Sequence, residues 1–273
     1  MNNIEELKNI AKQIRLGILE AVYSAQSGHP GGALSVADIM AVLYFNEMNV
    51  NPSEPNMECR DRLVLSKGHA SAALYSALAN RGFFSVEELK SFRNINSKLQ
   101  GHPDKNKVPG VDMTTGSLGQ GLSAANGMAI AGKLQSKDYR VYCVLGDGEI
   151  EEGQVWEAAM AAAHYKLDNL CVIVDNNNLQ IDGKISNVMS SYPIDEKFAS
   201  FGFEVMNIDG HDIDEIMKAF EVARSIKGKP VAIIAKTVKG KGVAFMENQA
   251  GWHGKAPSSE QYEEAVKCIN GEG

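Results

Sequence analysis

Nothing in this 273-residue chain pairs its cysteines: Cys59, Cys143, Cys171 and Cys268 stand far apart, with no C-x-x-C among them. That spacing fits neither a zinc site nor a disulfide framework. Cys143 and Cys171 fall inside apolar, strand-like runs, where a free thiol behaves as a small hydrophobe. A Lys/Arg-dense run is also missing; 27 Lys plus Arg stand against 34 Asp plus Glu, a net charge of -7. Such a balance argues against nucleic acid as a partner, while leaving room for a local cationic pocket. There is no signal-peptide apolar stretch and no run long enough to span a bilayer. A cytoplasmic protein with no membrane partner is the expectation. No repeat, low-complexity tract or linker interrupts the chain, so one domain over residues 1–273 is expected to bury a sizeable core.

What is present is a regular alternation of strands and helices. Ile4, Leu7, Ile10, Ala11, Ile14, Ile18 and Leu19 recur at helical spacing, predicting a first helix to about Ser24. A glycine-proline loop follows over 27–32. Ser35 then reads as the N-cap of a second helix that runs to about Glu47, with Asp38 three residues on. Strands are expected at 62–66, 140–145, 170–174, 203–208 and 230–235, and helices at 70–81, 122–133, 154–165 and 213–226; residues 93–115 read as irregular. This pattern predicts an α/β fold: a doubly wound, mostly parallel sheet with helices on both faces.

Ligands of doubly wound sheets bind beyond the carboxyl ends of the strands. Three predicted strand ends carry the unusual residues: Ser66-Lys-Gly-His69, Gly146-Asp-Gly148 and Asp175-Asn-Asn-Asn178. Gly-Asp-Gly alone is a common turn. Paired with Asn177, 30 residues beyond Asp147 and so one strand-helix-strand unit away, it offers hard oxygen ligands at one sheet edge. Such ligands suit Mg²⁺ or Ca²⁺, and Mg²⁺ commonly shares phosphate oxygens. Gly148 would let the backbone approach a phosphate at a helix mouth. Glu149, Glu151 and Glu152 crowd the same helix start, where the dipole favours them but a diphosphate would be repelled. A divalent cation would offset that repulsion.

Of six histidines, His29, His69, His102 and His253 lie in glycine-rich loops, which suggests a shared polar pocket. Neutral His can accept or donate a proton near pH 7, and His⁺ can stabilise an alkoxide or phosphate. His164 and His211 read as structural or surface residues. Two glycine-rich stretches, Gly116-Ser-Leu-Gly-Gln-Gly121 and Gly240-Lys-Gly242, lack the G-x-G-x-x-G spacing of a dinucleotide fold.

The runs SGHPGGALSVADIMAVLYF, DRLVLSKGHAS, GHPD, TTGSLGQGLS, LGDGEIEEGQVWEA, DNNNLQIDG, KTVKGKG and WHG, in this order, resemble the transketolase family over nearly the whole chain. The resemblance implies thiamine diphosphate as cofactor, with Asp147, Asn177 and the backbone carbonyl of Leu179 holding Mg²⁺ (Ca²⁺ and Mn²⁺ being the other candidates). It implies that His69, Gly148 and His253 contact the diphosphate and that Gly116, Ser117 and Leu118 support the cofactor rings. His29, His69, His102 and His253 would line the substrate channel in catalytic roles. Glu152 would match an acidic residue at the subunit interface. Full family members continue through two further domains. The expectation is therefore a diphosphate-binding chain, active in ketol transfer between sugar phosphates only with a carboxyl-terminal partner chain, as an α2β2 heterotetramer. Other thiamine-dependent subunits (deoxyxylulose-phosphate synthase-like or 2-oxo-acid dehydrogenase-like), or a non-catalytic protein that kept the fold, are the alternatives.

Overall fold

The computed structural model describes residues 3–272; Met1 and Asn2, at the head of the first predicted helix, and Gly273 lie outside them. Helix α1 (Ile4–Ala25) opens on Asn3, whose side chain and that of Glu6 cap each other's backbone amides reciprocally. Its apolar stripe, with Leu7, Ile14 and Ile18 fully buried, faces the core as the spacing predicts.

The second predicted helix differs from expectation. Pro30, with its fixed φ, starts a short helix α2 (Pro30–Leu34) inside the predicted loop. Helix α3 (Ala37–Val42) then continues through a wider turn over Leu43–Glu47. Ser35 does not cap it. Its hydroxyl donates to the Gly32 carbonyl at 3.1 Å and to Asp175 Oδ2 at 2.7 Å, so a buried carboxylate has claimed it.

Strand β1 (Arg62–Leu65) leads into α4 (Ser71–Arg81), and residues 93–115 hold no helix or strand. After α5 (Gln120–Leu134) come β2 (Val141–Gly146), α6 (Gly153–His164) and β3 (Leu170–Asn176). An unpredicted antiparallel hairpin follows, β4 (Leu179–Gln180) with β5 (Gly183–Lys184), and then short helices α7 (Ile185–Val188) and α8 (Ile194–Ser200). The chain closes with β6 (Glu204–Asp209), α9 (Ile213–Ser225), β7 (Val231–Lys236) and α10 (Ser259–Asn270), the last also unpredicted.

The five long strands form one sheet in the order β1-β2-β3-β7-β6, every pairing parallel. Alternate residues serve opposite faces, as period two requires. Tyr142, Val144, Cys171 and Ile173 pack with α1, α3, α4 and α9; Val141, Cys143, Leu145 and Val172 pack with α5, α6 and Phe198 of α8. Both faces are covered, which is why β2 and β3 read as continuous apolar runs rather than alternating ones. Cys143 and Cys171 are free and buried within these runs. No helix of the described residues is long and apolar enough to cross a membrane.

Candidate active site

Because the strands are parallel, their carboxyl ends deliver four loops to one edge: Ser66–His69 after β1, Asp147–Glu149 after β2, Asn177–Leu179 after β3 and Thr237–Lys239 after β7. They enclose a cleft of about 290 Å³ lined by His29, His69, His102, His253, Gly116, Leu118, Asp147, Gly148, Asn177 and Leu179. All of these come from the sequence-derived set. Two members of that set lie outside the lining. Ser117 is exposed on the loop before α5, and Glu152 is exposed at the N-cap of α6. A wider concavity of about 680 Å³ sits at the opposite, amino-terminal end of the sheet around Asp61 and Arg140, away from every one of these loops.

Three imidazoles form a triangle: His29 to His69 at 5.2 Å between ring centres, His29 to His253 at 5.4 Å, His69 to His253 at 5.3 Å. The fourth, His102, packs against Gly116. Gly116 has φ +151°, and a Cβ there would come within 3.0 Å of that ring, so the position favours glycine on both counts.

Burial, then Arg93, His102 and Lys239, push the His29 pKa down to about 4. Burial, then Lys67, His253, His29 and Lys239, push His69 to about 2. Burial, then Lys239, His29 and Lys67, push His253 to about 3. Burial and Arg93 lower His102 as well. The ligand-free pocket therefore holds neutral imidazoles. Both desolvation and neighbouring cations oppose the charged form in this ligand-free pocket.

Two lysines that sequence reasoning passed over supply those cations. Lys239, 2% exposed, donates to the Leu179 carbonyl at 3.1 Å and to His253 Nδ1 at 2.9 Å; burial and then Lys67 bring its pKa down to about 8. Lys67, also 2% exposed, pairs with the fully buried Asp175 at 2.5 Å and donates to the Gly32 carbonyl at 2.6 Å. Arg93 was missed too. It donates to Ser27 Oγ at 2.9 Å and lies 3.5 Å from His29 Nδ1.

Asp147 is 2% exposed, and burial followed by repulsion from Asp175 pushes its carboxyl up to about 7. Its oxygens accept from the amides of Gly148 and Asn178. Asn177 and Leu179, the other two residues expected to hold a cation, line the same cleft. The ammonium of Lys239 already rests on the Leu179 carbonyl, a stand-in for positive charge at that point. Among the described residues no group of three His, Cys, Asp or Glu gathers around a common point.

The three glutamates do not crowd as the sequence suggested. Glu149 turns inward, accepting from Ser66 Oγ and, at 3.0 Å each, from the amides of Gly119 and Gly146. Glu151 is held by Gln180 Nε2 at 2.9 Å, leaving Glu152 facing outward. His211 is structural, as expected: Nδ1 lies 2.7 Å from Asp38 Oδ2, and Nε2 accepts from the Val238 amide at 2.8 Å. His164 is an exposed residue at the end of α6.

The family model described as "Transketolase, thiamine diphosphate binding domain" matches residues 6–271. A 6-deoxy-6-sulfo-D-fructose transketolase subunit from Clostridium sp. (strain MSTE9) is 43% identical over 268 residues, covering 98% of each chain. An apulose-4-phosphate transketolase subunit from Phocaeicola vulgatus is 43% identical over 98% of this chain and 95% of its own. Transketolase from Homo sapiens is 45% identical, over 97% of this chain but 42% of its own. The crystal structure of transketolase from Campylobacter jejuni superposes with a TM-score of 0.93 at 39% identity, over 98% of this chain and 43% of that one. The chain spans nearly the whole of the two subunits and less than half of the longer transketolases. It belongs to the transketolase family, as that family's thiamine diphosphate-binding domain.

Proposed function

We propose that this chain is the diphosphate-binding subunit of a two-chain transketolase. It would move a two-carbon ketol unit from a ketose phosphate to an aldose phosphate, using thiamine diphosphate and a divalent metal. One observation carries the reading: the oxygen set Asp147, Asn177 and Leu179 meets the histidine triangle in one cleft. The length match to two subunit relatives supports the two-chain form, and an α2β2 assembly in the cytoplasm follows from it as part of the proposal.

In this reading Asp147, Asn177 Oδ1 and the Leu179 carbonyl hold Mg²⁺, while His69, Gly148 and His253 face the diphosphate. Lys239 adds a nearby positive charge. When bound, thiamine diphosphate supplies the electron sink for carbon–carbon cleavage. This chain's residues orient and exchange protons. With His253 Nδ1 accepting from Lys239, its proton sits on Nε2, available to a sugar hydroxyl. His29, His69 and His102, neutral at rest, can each take a proton as well as give one. An entering anion reverses the sign of their surroundings and raises their proton affinity, which suits that exchange. Gly116 and Leu118 line the cleft where they would support the cofactor rings; Ser117 and Glu152, outside it, face where a partner chain would close the site.

The two subunit relatives are named for different sugars, one sulfonated and one a phosphate ester, so the sugar pair is the part of this reading to test. The test is ketol transfer from xylulose 5-phosphate to ribose 5-phosphate with thiamine diphosphate and Mg²⁺, for the chain alone and for the complex it forms in its host. Transfer in the complex alone is the expected result. Transfer by the isolated chain would overturn the two-chain reading. A stable complex inactive on this pair would overturn the sugar assignment.

A further inference from the structure

Asp175, the penultimate residue of β3, has 0% exposure, and four side chains donate to it. Ser35 Oγ reaches Oδ2 at 2.7 Å, Lys67 Nζ at 2.5 Å and Asn177 Nδ2 at 3.0 Å, while Thr237 Oγ1 donates to Oδ1. Each donor belongs to a different segment: the end of α2, and the loops after β1, β3 and β7. One buried carboxylate therefore ties together four pieces of chain that border the cleft.

The Asn177 contact has a directional consequence. An ionised carboxylate only accepts hydrogen bonds, whereas an amide donates from nitrogen and accepts at oxygen. Were the Asn177 amide reversed, its oxygen would stand 3.0 Å from another acceptor with no proton between them. Asp175 thus forces the amide nitrogen inward and the carbonyl oxygen outward. There the oxygen accepts from the Leu179 amide at 3.1 Å and keeps a second lone pair for a cation. Lys67 is the counter-ion that lets Asp175 stay ionised in this dry position.

We infer that Asp175 is a positioning residue, which with Lys67 as its partner fixes the sense of the Asn177 amide so that its oxygen faces the divalent cation. It acts through Asn177. This rests on the reading of Asp147, Asn177 and Leu179 as the cation-holding set.

The test is Mn²⁺ binding, followed by electron paramagnetic resonance at saturating thiamine diphosphate, in the chain assembled with its partner. Thermal unfolding is measured alongside. Asn177→Asp supplies a harder metal ligand but no donor toward Asp175. If Asp175 sets the orientation, Mn²⁺ affinity falls roughly tenfold or more despite the added charge, in keeping with the effects of groups that orient metal ligands. The double variant Asp175→Asn with Lys67→Gln removes the lock while leaving no unpaired buried charge. It should also weaken Mn²⁺ by about 10–100-fold, with a melting temperature close to wild type. If the double variant does not fold, Asn177→Asp decides alone. Mn²⁺ binding by Asn177→Asp as tight as wild type or tighter would overturn the positioning role and leave the metal site standing. A wild-type assembly that binds Mn²⁺ no better than Asp147→Ala would instead overturn the site reading beneath it.

Discussion

Lys239 holds two acceptors at once, the Leu179 carbonyl and His253 Nδ1, and its charge is the second cause, after burial, of the depressed His253 pKa. Replacing it with glutamine removes the charge and keeps a donor. In the free chain His253 should then rise from about 3 part of the way to its ordinary 6.5. Histidine ring resonances followed by NMR against pH would show this; an unmoved His253 would mean that the Lys239 charge is not among the causes of its depression. The same variant loses a cation from the cleft and should bind thiamine diphosphate more weakly. At this scale the histidines were legible because imidazole in a glycine-flanked loop is unusual. Lys67 and Lys239 were not, because a lysine within a motif reads as solvated, and burial is a property of the folded chain. The available signal was Asp175, an ionisable residue closing the apolar run LCVIV, where an unpaired charge would be costly.

Between elements, one ion-pair cluster fastens three of them. Arg15 of α1 meets Asp38 of α3 through both guanidinium nitrogens, at 3.0 and 2.5 Å, and His211, just before α9, adds a third contact at 2.7 Å. Burial alone would raise the Asp38 carboxyl, but the hydrogen bond from His211 and the Arg15 guanidinium hold it below its ordinary 3.8. A carboxyl whose folded pKa is depressed stabilises the fold above its unfolded pKa, and that contribution disappears as pH falls through the folded value. Asp38→Asn should therefore cost about 3 kcal/mol at pH 7 by stranding a buried Arg15. The gap from wild type should narrow as pH drops below about 3.8. Urea unfolding at a series of pH values measures it, and a gap constant down to about pH 2.5 would contradict the depressed carboxyl. This cluster also explains part of what the sequence hid. Asp38 read as a capping partner for Ser35, yet long-range contacts took both side chains, Asp38 to Arg15 and Ser35 to Asp175. Strands β1, β2, β3, β6 and β7 and helices α1, α4, α5, α6 and α9 were readable because short apolar runs alternate in the chain with longer small-residue or amphipathic segments, a pattern set by burial within the chain. The β4–β5 hairpin, two residues a strand, is too short to show a period; α10 does carry one, Tyr262, Ala265, Val266 and Ile269 behind the Ser258 cap, and it was passed over.

For the molecule as a whole, a parallel sheet sends its chemistry to one edge, and here apolar side chains at that edge stay exposed. The cleft's rim keeps apolar side chains in water, Ile181 at 67% and Leu118 at 38% exposure, beside the exposed His102. Apolar groups at the mouth of a charged cleft are solvated only while nothing lies over them. If a partner chain closes this edge, thiamine diphosphate with Mg²⁺ gains contacts and loses competing water, so it should bind the assembly at least about tenfold more tightly than the isolated chain. A ligand that binds only the folded state stabilises it by about 2.7 kcal/mol at one hundred times its dissociation constant. For a chain of this size that corresponds to a rise in melting temperature of roughly 5–10 °C. The assembly should show that rise when both ligands are added, and neither ligand alone should reproduce it, because in the proposed site Asp147, Asn177 and Leu179 would hold a cation that offsets the diphosphate charge. Asp147→Ala should abolish it while leaving the ligand-free melting temperature unchanged or higher, since a buried carboxyl driven up to about 7 by desolvation contributes no stability of its own at neutral pH. Calorimetric titration and scanning on the same samples separate the two claims. Equal affinity in the isolated chain and the assembly would remove the argument that a partner completes the site; ligand stabilisation surviving in Asp147→Ala would remove the carboxylate from the metal's shell.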